Sequence, residues 1–199
     1  MSLSVTTVGG PDLAPFIPAL ARLRTLVFRA YPYLYDGDPA YEERYLQSYL
    51  DAQDAIIVLA RDSDTIVGAS SALPLTQETD DIRAPLHAPE FDPADVLYLG
   101  ESVLTAEYRG RGLGHAFFDH REAHAARLGL NTTAFCAVQR PDDHPARPTP
   151  YRTHHAFWAA RGYTERPDLT TTLSWKDLGD DHETPKPMRY WIRKTQPAA

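Results

Sequence analysis

The segment ESVLTAEYRGRGLGH, residues 101–115, sets Gly110, Gly112 and Gly114 among Arg109 and Arg111, after a strand-like run and before a helix-like one. A loop leading from a strand into a helix leaves backbone N–H groups without partners at the helix N-terminus, and the helix dipole adds partial positive charge there. That combination binds anions. Glycines let a pyrophosphate approach the backbone with no Cβ in the way, and the arginines add charge and forked donors. One glycine would be enough to turn a strand into a helix; three glycines with two arginines ask for a ligand. Two common phosphate loops fail on residues. A P-loop needs Lys and Ser or Thr after its last glycine, and the dinucleotide fingerprint needs a third glycine at position 115; His115 follows Gly114 here. What remains is Arg-x-x-Gly-x-Gly, carried by Arg109, Gly112 and Gly114.

The elements that must position this loop can be read on both sides of it. Residues 96–104, VLYLGESVL, form the best strand in the chain. A helix is expected from about 112 to 128 and a strand at 132–138, so strand, helix and strand make a right-handed parallel unit. Upstream, residues 3–8 read as a short strand. In residues 12–29, Phe16, Leu20, Leu23 and Val27 recur at helical spacing. Pro32, Gly37 and Pro39 interrupt the chain, and Asp38 caps a second helix that places Tyr41, Tyr45 and Tyr49 on one face. Residues 55–75 read as a hairpin, 76–95 as a loop with one helical turn, and 140–150 as a proline-rich loop. A short helix at 153–161 ends at Gly162, closing strands follow, and residues 195–199 form a loose tail.

Composition bounds the function. A chain of 199 residues with 43% hydrophobic residues is expected to form one domain, or at most one domain with an insert, around a proper core. The net charge of -7 argues against nucleic acid and suits a cationic substrate. One cysteine, Cys136, permits no internal disulfide. The N-terminal stretch has neither the basic nor the apolar region of a signal peptide, and no apolar run is long enough to span a membrane. The expectation is a cytoplasmic protein that does not engage membranes.

Two segments together resemble the GCN5-related N-acetyltransferase (GNAT) superfamily. LTAEYRGRGLG is similar to the family's V-x-P-x-x-R-G-x-G-x-G stretch, with Leu104 at the Val position and Ala106 in place of Pro. FWAARGY resembles its l-Y-e-k-x-G-F element, with Gly162 and Tyr163 as the Gly-Phe pair. The resemblance extends in element order over nearly the whole chain. It implies a single acyl-CoA N-acyltransferase domain over 1–199. Its α/β (α+β) fold would be a mixed, splayed, largely antiparallel sheet of about six to seven strands flanked by helices. It implies acetyl-CoA as co-substrate, lying between the strands that end near 104 and start near 132. Backbone amides of Arg109, Gly110, Arg111, Gly112, Leu113 and Gly114 would hold its pyrophosphate. Backbone groups of Val103, Leu104 and Thr105 would pair with the pantetheine arm, and one N–H would polarise the thioester carbonyl.

The resemblance also implies an acetyl transfer to a primary amine by direct attack. An alkyl amine has a pKa of about 10 and must lose a proton first. Glu101 stands eight residues before Arg109, a spacing at which family members that use a base on this strand often carry it; desolvation there would suit it to that role. The family's usual general acid is a Tyr four residues before the glycine. That position holds Trp158, which cannot protonate a thiolate; Tyr151, Ser102 or water are the substitutes, with Tyr151 preferred. Tyr31, Tyr33 and Tyr35, with Asp36, lie where the family lines its acceptor site and suit a small cationic amine. A protein lysine or N-terminus is the alternative acceptor, and a non-catalytic acyl-CoA sensor is the alternative function.

Other reactive residues read as structural. His120 and His124 share an apolar helix stripe with Phe117 and lack a third ligand, so no metal is expected. His154 and His155 read as packing residues, and Cys136 as a small buried hydrophobe. An exposed edge strand near 188–194 would offer a surface for pairing two copies as a homodimer.

Overall fold

The computed structural model describes residues 2–87 and 89–195, so the tail expected at 195–199 lies, from 196 onward, outside the described residues. One mixed sheet contains β1 (Leu3–Val8), β2 (Ile56–Asp62), β3 (Thr65–Pro74), β4 (Val96–Leu104), β5 (Thr132–Val138), β6 (Thr164–Trp175) and β7 (Thr184–Lys194). Their order is β1-β2-β3-β4-β5-β7-β6. Every neighbouring pair is antiparallel except β4 and β5. The expected parallel unit is therefore the single parallel step in an otherwise antiparallel sheet.

Helices cover both faces, which is why β2 and β4 read as continuous apolar runs. On one face α1 (Ile17–Phe28) and α2 (Pro39–Asp51) bury Leu20, Leu46 and Tyr49 against Leu59, Leu73 and Tyr98. On the other, α4 (Leu113–Leu128) and α5 (His155–Ala160) pack Phe117, Phe118 and Trp158 on Val58, Leu97, Phe135 and Trp191. A short α3 (Asp80–Arg83) lies in the loop before β4. Among the described residues no helix is long and apolar enough to cross a membrane.

The capping chemistry follows the sequence. Asp38 Oδ1 accepts from Ala40 N at 3.0 Å, with Pro39 opening α2. The first helical segment instead begins as a 3-10 turn over Gly10–Phe16, where Pro11 and Pro15 remove donors, and α1 starts only at Ile17. One expectation is corrected. The strand at 188–194 is not an edge: β7 pairs with β5 on one side and β6 on the other, and the edges are β1 and β6.

Candidate active site

The parallel step opens the cleft. β4 and β5 pair only at Val96–Thr132, Leu97–Thr133 and Tyr98–Ala134. Beyond them β4 stays paired with β3 as far as Leu104, across one bulge, while β5 follows β7 to Val138. The two strands separate because each keeps its antiparallel partner. The gap widens into a cleft of about 990 Å³, lined by β4, β5, the start of α4, α5 and the loops around Tyr31 and Tyr151.

The glycine loop lies at its mouth. Gly110 (φ 73°) and Gly112 (φ 81°) adopt left-handed backbone, and a Cβ added at either would meet nothing within 4 Å. These two glycines are needed for conformation and leave open space above the backbone. Gly112 caps α4, and no side chain caps that end. The first intrahelical bond there is Ala116 N to Gly112 O, so the N–H groups of Leu113, Gly114 and His115 precede the helical ladder. Arg109 and Arg111 are both exposed. Arg109 lines the cleft, whereas Arg111 packs over Tyr108 at 4.9 Å and does not. The loop thus meets the requirements of a diphosphate site: open backbone, free donors, a helix N-terminus and positive charge.

A bulge shapes the inner end. The β3–β4 register slips between Ser70 and Ala72, so Ser71 faces both Gly100 and Glu101. A Cβ at Gly100 would collide with Ser71 Oγ and crowd the Tyr49 hydroxyl at 3.1 Å. Ser71 Oγ accepts from Glu101 N and from Tyr49 Oη, both at 3.2 Å. The bulge turns the Glu101 carboxylate to the α1 side, where Arg24 ion-pairs with Glu101 and Glu42. Arg24 also lies 4.4 Å above the Tyr45 ring. Burial works against the Arg24 charge, but Glu101, Tyr45 and Glu42 outweigh it and hold its pKa above the ordinary range. Glu101 therefore lines the cleft as a fixed, partnered carboxylate rather than a solitary one.

The sequence candidates divide in space. Leu104, Arg109, Gly110, Gly112 and Gly114 line the cleft; Val103, Thr105, Arg111 and Leu113 do not. Val103 is fully buried, and Thr105 N already donates to Val67 O at 3.0 Å, so that amide is not free for a ligand. Tyr31, Tyr33 and Tyr151 line the cleft, with Tyr31 edge-on to Tyr151 at 4.8 Å between ring centres. Burial pushes the Tyr151 phenol up, and it keeps its proton more firmly than a free tyrosine. Tyr35 and Asp36 are turned away. Tyr35 bridges to Asp177, and Asp36 is held by Lys176 at 2.7 Å and Arg29 at 3.6 Å.

Several residues that build the site carried no motif. Arg140 donates to Pro32 O and Tyr33 O, each at 2.8 Å, and pairs with Asp177 at 2.7 Å, tying the tyrosine loop to the end of β5. Arg24 and Arg121 are charged residues inside apolar helical stripes, flanked by Leu20 and Phe28 and by Phe117 and Ala125; that interruption was the available signal. Cys136 is buried, its thiol pushed up to about 12 by burial, which suits packing and not nucleophilic work. His120 Nδ1 bonds Thr7 Oγ1 at 2.8 Å, and His124 Nε2 bonds Asp54 O at 2.6 Å. Trp158 packs against Phe135 and Trp191 and forms part of the cleft wall.

Comparison with known proteins identifies this architecture. The family model described as Acetyltransferase (GNAT) family matches residues 20–163, most of the chain. The chain belongs to the GNAT acetyltransferase family. Membership makes it an acetyl-CoA-dependent N-acetyltransferase. No curated protein matches the sequence. Solved GNAT-like structures agree along the full length. YncA, a putative acetyltransferase from Salmonella typhimurium solved with its cofactor acetyl-CoA, has a TM-score of 0.62 at 8% identity, covering 100% of this chain and 97% of that one. The ribosomal-protein-alanine N-acetyltransferase of Brucella melitensis gives 0.60 at 12% identity, covering 95% and 99%. PaiA N-acetyltransferase from Thermoplasma acidophilum, in complex with coenzyme A, gives 0.59 at 12% identity, covering 98% and 99%. At these identities the likeness is one of GNAT fold.

Proposed function

We propose that this GNAT enzyme acetylates a small cationic primary amine, with acetyl-CoA in the β4–β5 cleft and the amine entering from the tyrosine side. The pyrophosphate takes the N–H groups at the start of α4, beside Arg109. The pantetheine arm runs along β4 past Leu104, and the thioester reaches the bulge at Gly100 and Glu101. Glu101 draws the ammonium in, accepts its proton directly or through water, and passes it to solvent. The free amine then forms its C–N bond to the acetyl carbon as the C–S bond breaks with its electron pair on sulfur, and the second proton shed by the nitrogen leaves through Glu101, which has already released the first to solvent. Tyr151 donates a hydrogen bond to the departing sulfur, in place of the tyrosine that Trp158 replaces.

One observation carries the acceptor reading. Arg140 and the Tyr31–Tyr151 contact join the two loops that cover the acceptor side, with His144 a further 5.7 Å ring contact on Tyr31. An acceptor side bounded by two linked loops, with tyrosine faces and a carboxylate lining the cleft, suits a compact cation. A second reading, acetylation of a protein N-terminus, is favoured by the ribosomal-protein-alanine acetyltransferases among the structural neighbours. Incubation with acetyl-CoA and a panel of polyamines, amino acids, aminoglycosides and alanine-terminated peptides, followed by mass spectrometry, separates them. Acetylated small amines are the expected product. Acetylation confined to peptides would replace the first reading with the second.

A further inference from the structure

The α4 side of the cleft holds a cation that this mechanism has not used. Arg121, in the third turn of α4, lines the cleft yet is only 1% exposed. Its Nε donates to Phe117 O at 3.1 Å and its Nη1 to Ser71 O at 3.3 Å. Both acceptors are neutral carbonyls. Among the described residues, Nη2 is buried and has no hydrogen-bond partner. The Phe118 ring lies 4.7 Å from the guanidinium carbon.

The other cleft arginines are accounted for. Arg140 is paired with Asp177 and Arg147 with Asp142, while Arg109 and Arg152 are exposed at the rim. Arg121 combines full burial with no carboxylate contact. A lone buried cation is costly, and burial drives its pKa down to about 10. An anion brought to Nη2 would offset that cost. Ser71, which holds Nη1, is the β3 residue opposite the β4 bulge. The guanidinium therefore lies at the inner end of the cleft, where the thioester is placed, and on the opposite face of the sheet from Arg24 and Glu101.

Acetyl transfer generates negative charge at that end. Charge builds on the acyl oxygen, and when the C–S bond breaks its electron pair stays on the CoA sulfur. Trp158 has no proton to give, and Tyr151 binds its own firmly. We infer that Arg121 is a further catalytic residue, whose Nη2 faces the donor thioester and whose fixed charge stabilises the CoA thiolate as it leaves. Arg121 keeps all its protons throughout; both protons lost by the amine nitrogen leave in turn through Glu101, and CoA departs as the thiolate. A preoriented cation in a water-poor site acts strongly on such charge. The inference rests on the placement of acetyl-CoA in the cleft.

The test titrates the thiol of bound CoA, followed by thiolate absorbance, with desulfo-CoA as the blank and calorimetry to establish binding. The wild-type enzyme is expected to lower the bound thiol's pKa by about one unit or more relative to free CoA. Arg121→Met is expected to bring it back to the free value, to lower kcat about 100-fold, and to leave thermal stability equal or higher, because a lone buried charge is removed. Arg121→Lys, which keeps the charge, should retain part of the shift and serves if the Met variant does not fold. A wild-type enzyme that binds CoA with an unshifted thiol overturns the inference and leaves the cleft reading intact. So does a shift that survives in Arg121→Met. Failure of the wild type to bind CoA overturns both.

Discussion

At the residue scale the proposed chemistry depends on charges placed where water is scarce. Glu101 is assigned the amine's proton, so Glu101→Gln should bind acetyl-CoA as the wild type does and lose about 100-fold or more in kcat. Unchanged turnover would remove Glu101 from the chemistry. Glu78 offers a separate reading on stability. Burial is the main cause that raises its pKa from 4.5 to about 6, with the charge of Glu101 adding to it. An acid whose folded pKa is raised gives up stability as pH climbs from the unfolded value to the folded one. Glu78→Gln should therefore stabilise the protein above about pH 6 by up to about 2 kcal/mol, with the gain vanishing below about pH 4.5, as measured by urea denaturation across pH. The open glycine loop could be read from sequence because its backbone demands glycine, and the place of Glu101 at the cleft through the family resemblance. Arg24 and Arg121 could not be assigned, because a charge within an apolar helical stripe shows its partner, or its lack of one, only after the sheet has formed.

At the element scale the phosphate loop is a conformational device before it is a chemical one. Gly112 caps α4 at a φ of 81°, where an L-side chain is strained by about 1 kcal/mol or more. Gly112→Ala should raise KM for acetyl-CoA at least about tenfold with little change in acceptor KM, and should lower thermal stability slightly. An unchanged acetyl-CoA KM would show that the loop does not cradle the cofactor. β4, α4 and β5 were legible almost to the residue, since each is long, periodic and bounded by turn chemistry. The fate of β7 was not. Its sequence alternates like that of any half-buried strand, and only long-range pairing inserts it between β5 and β6. The tyrosine loop was half legible: local sequence announces an aromatic cluster, but the bridge from Tyr35 to Asp177 and the Asp36–Lys176 ion pair, both formed with distant residues, turn Tyr35 and Asp36 from the cleft.

At the scale of the molecule, the site exists because two antiparallel blocks, β1–β4 and β5–β7, share only three parallel residue pairs. The sheet splays at that seam, the α4 N-terminus closes one end, and the linked loops around Tyr31 and Tyr151 cover another. The GNAT fold was legible through two motifs at the right separation, whereas the acceptor is set by loops whose contacts lie more than a hundred residues apart in sequence, as between Arg140 and Pro32. The measurement that tests the account most directly is a crystal structure of the protein with acetyl-CoA. The pyrophosphate is expected on the N–H groups of Gly114 and His115 at the α4 N-terminus, and the thioester beside the bulge between Glu101 and Arg121. A pyrophosphate bound away from the α4 N-terminus, or a thioester out of reach of both side chains, would contradict it.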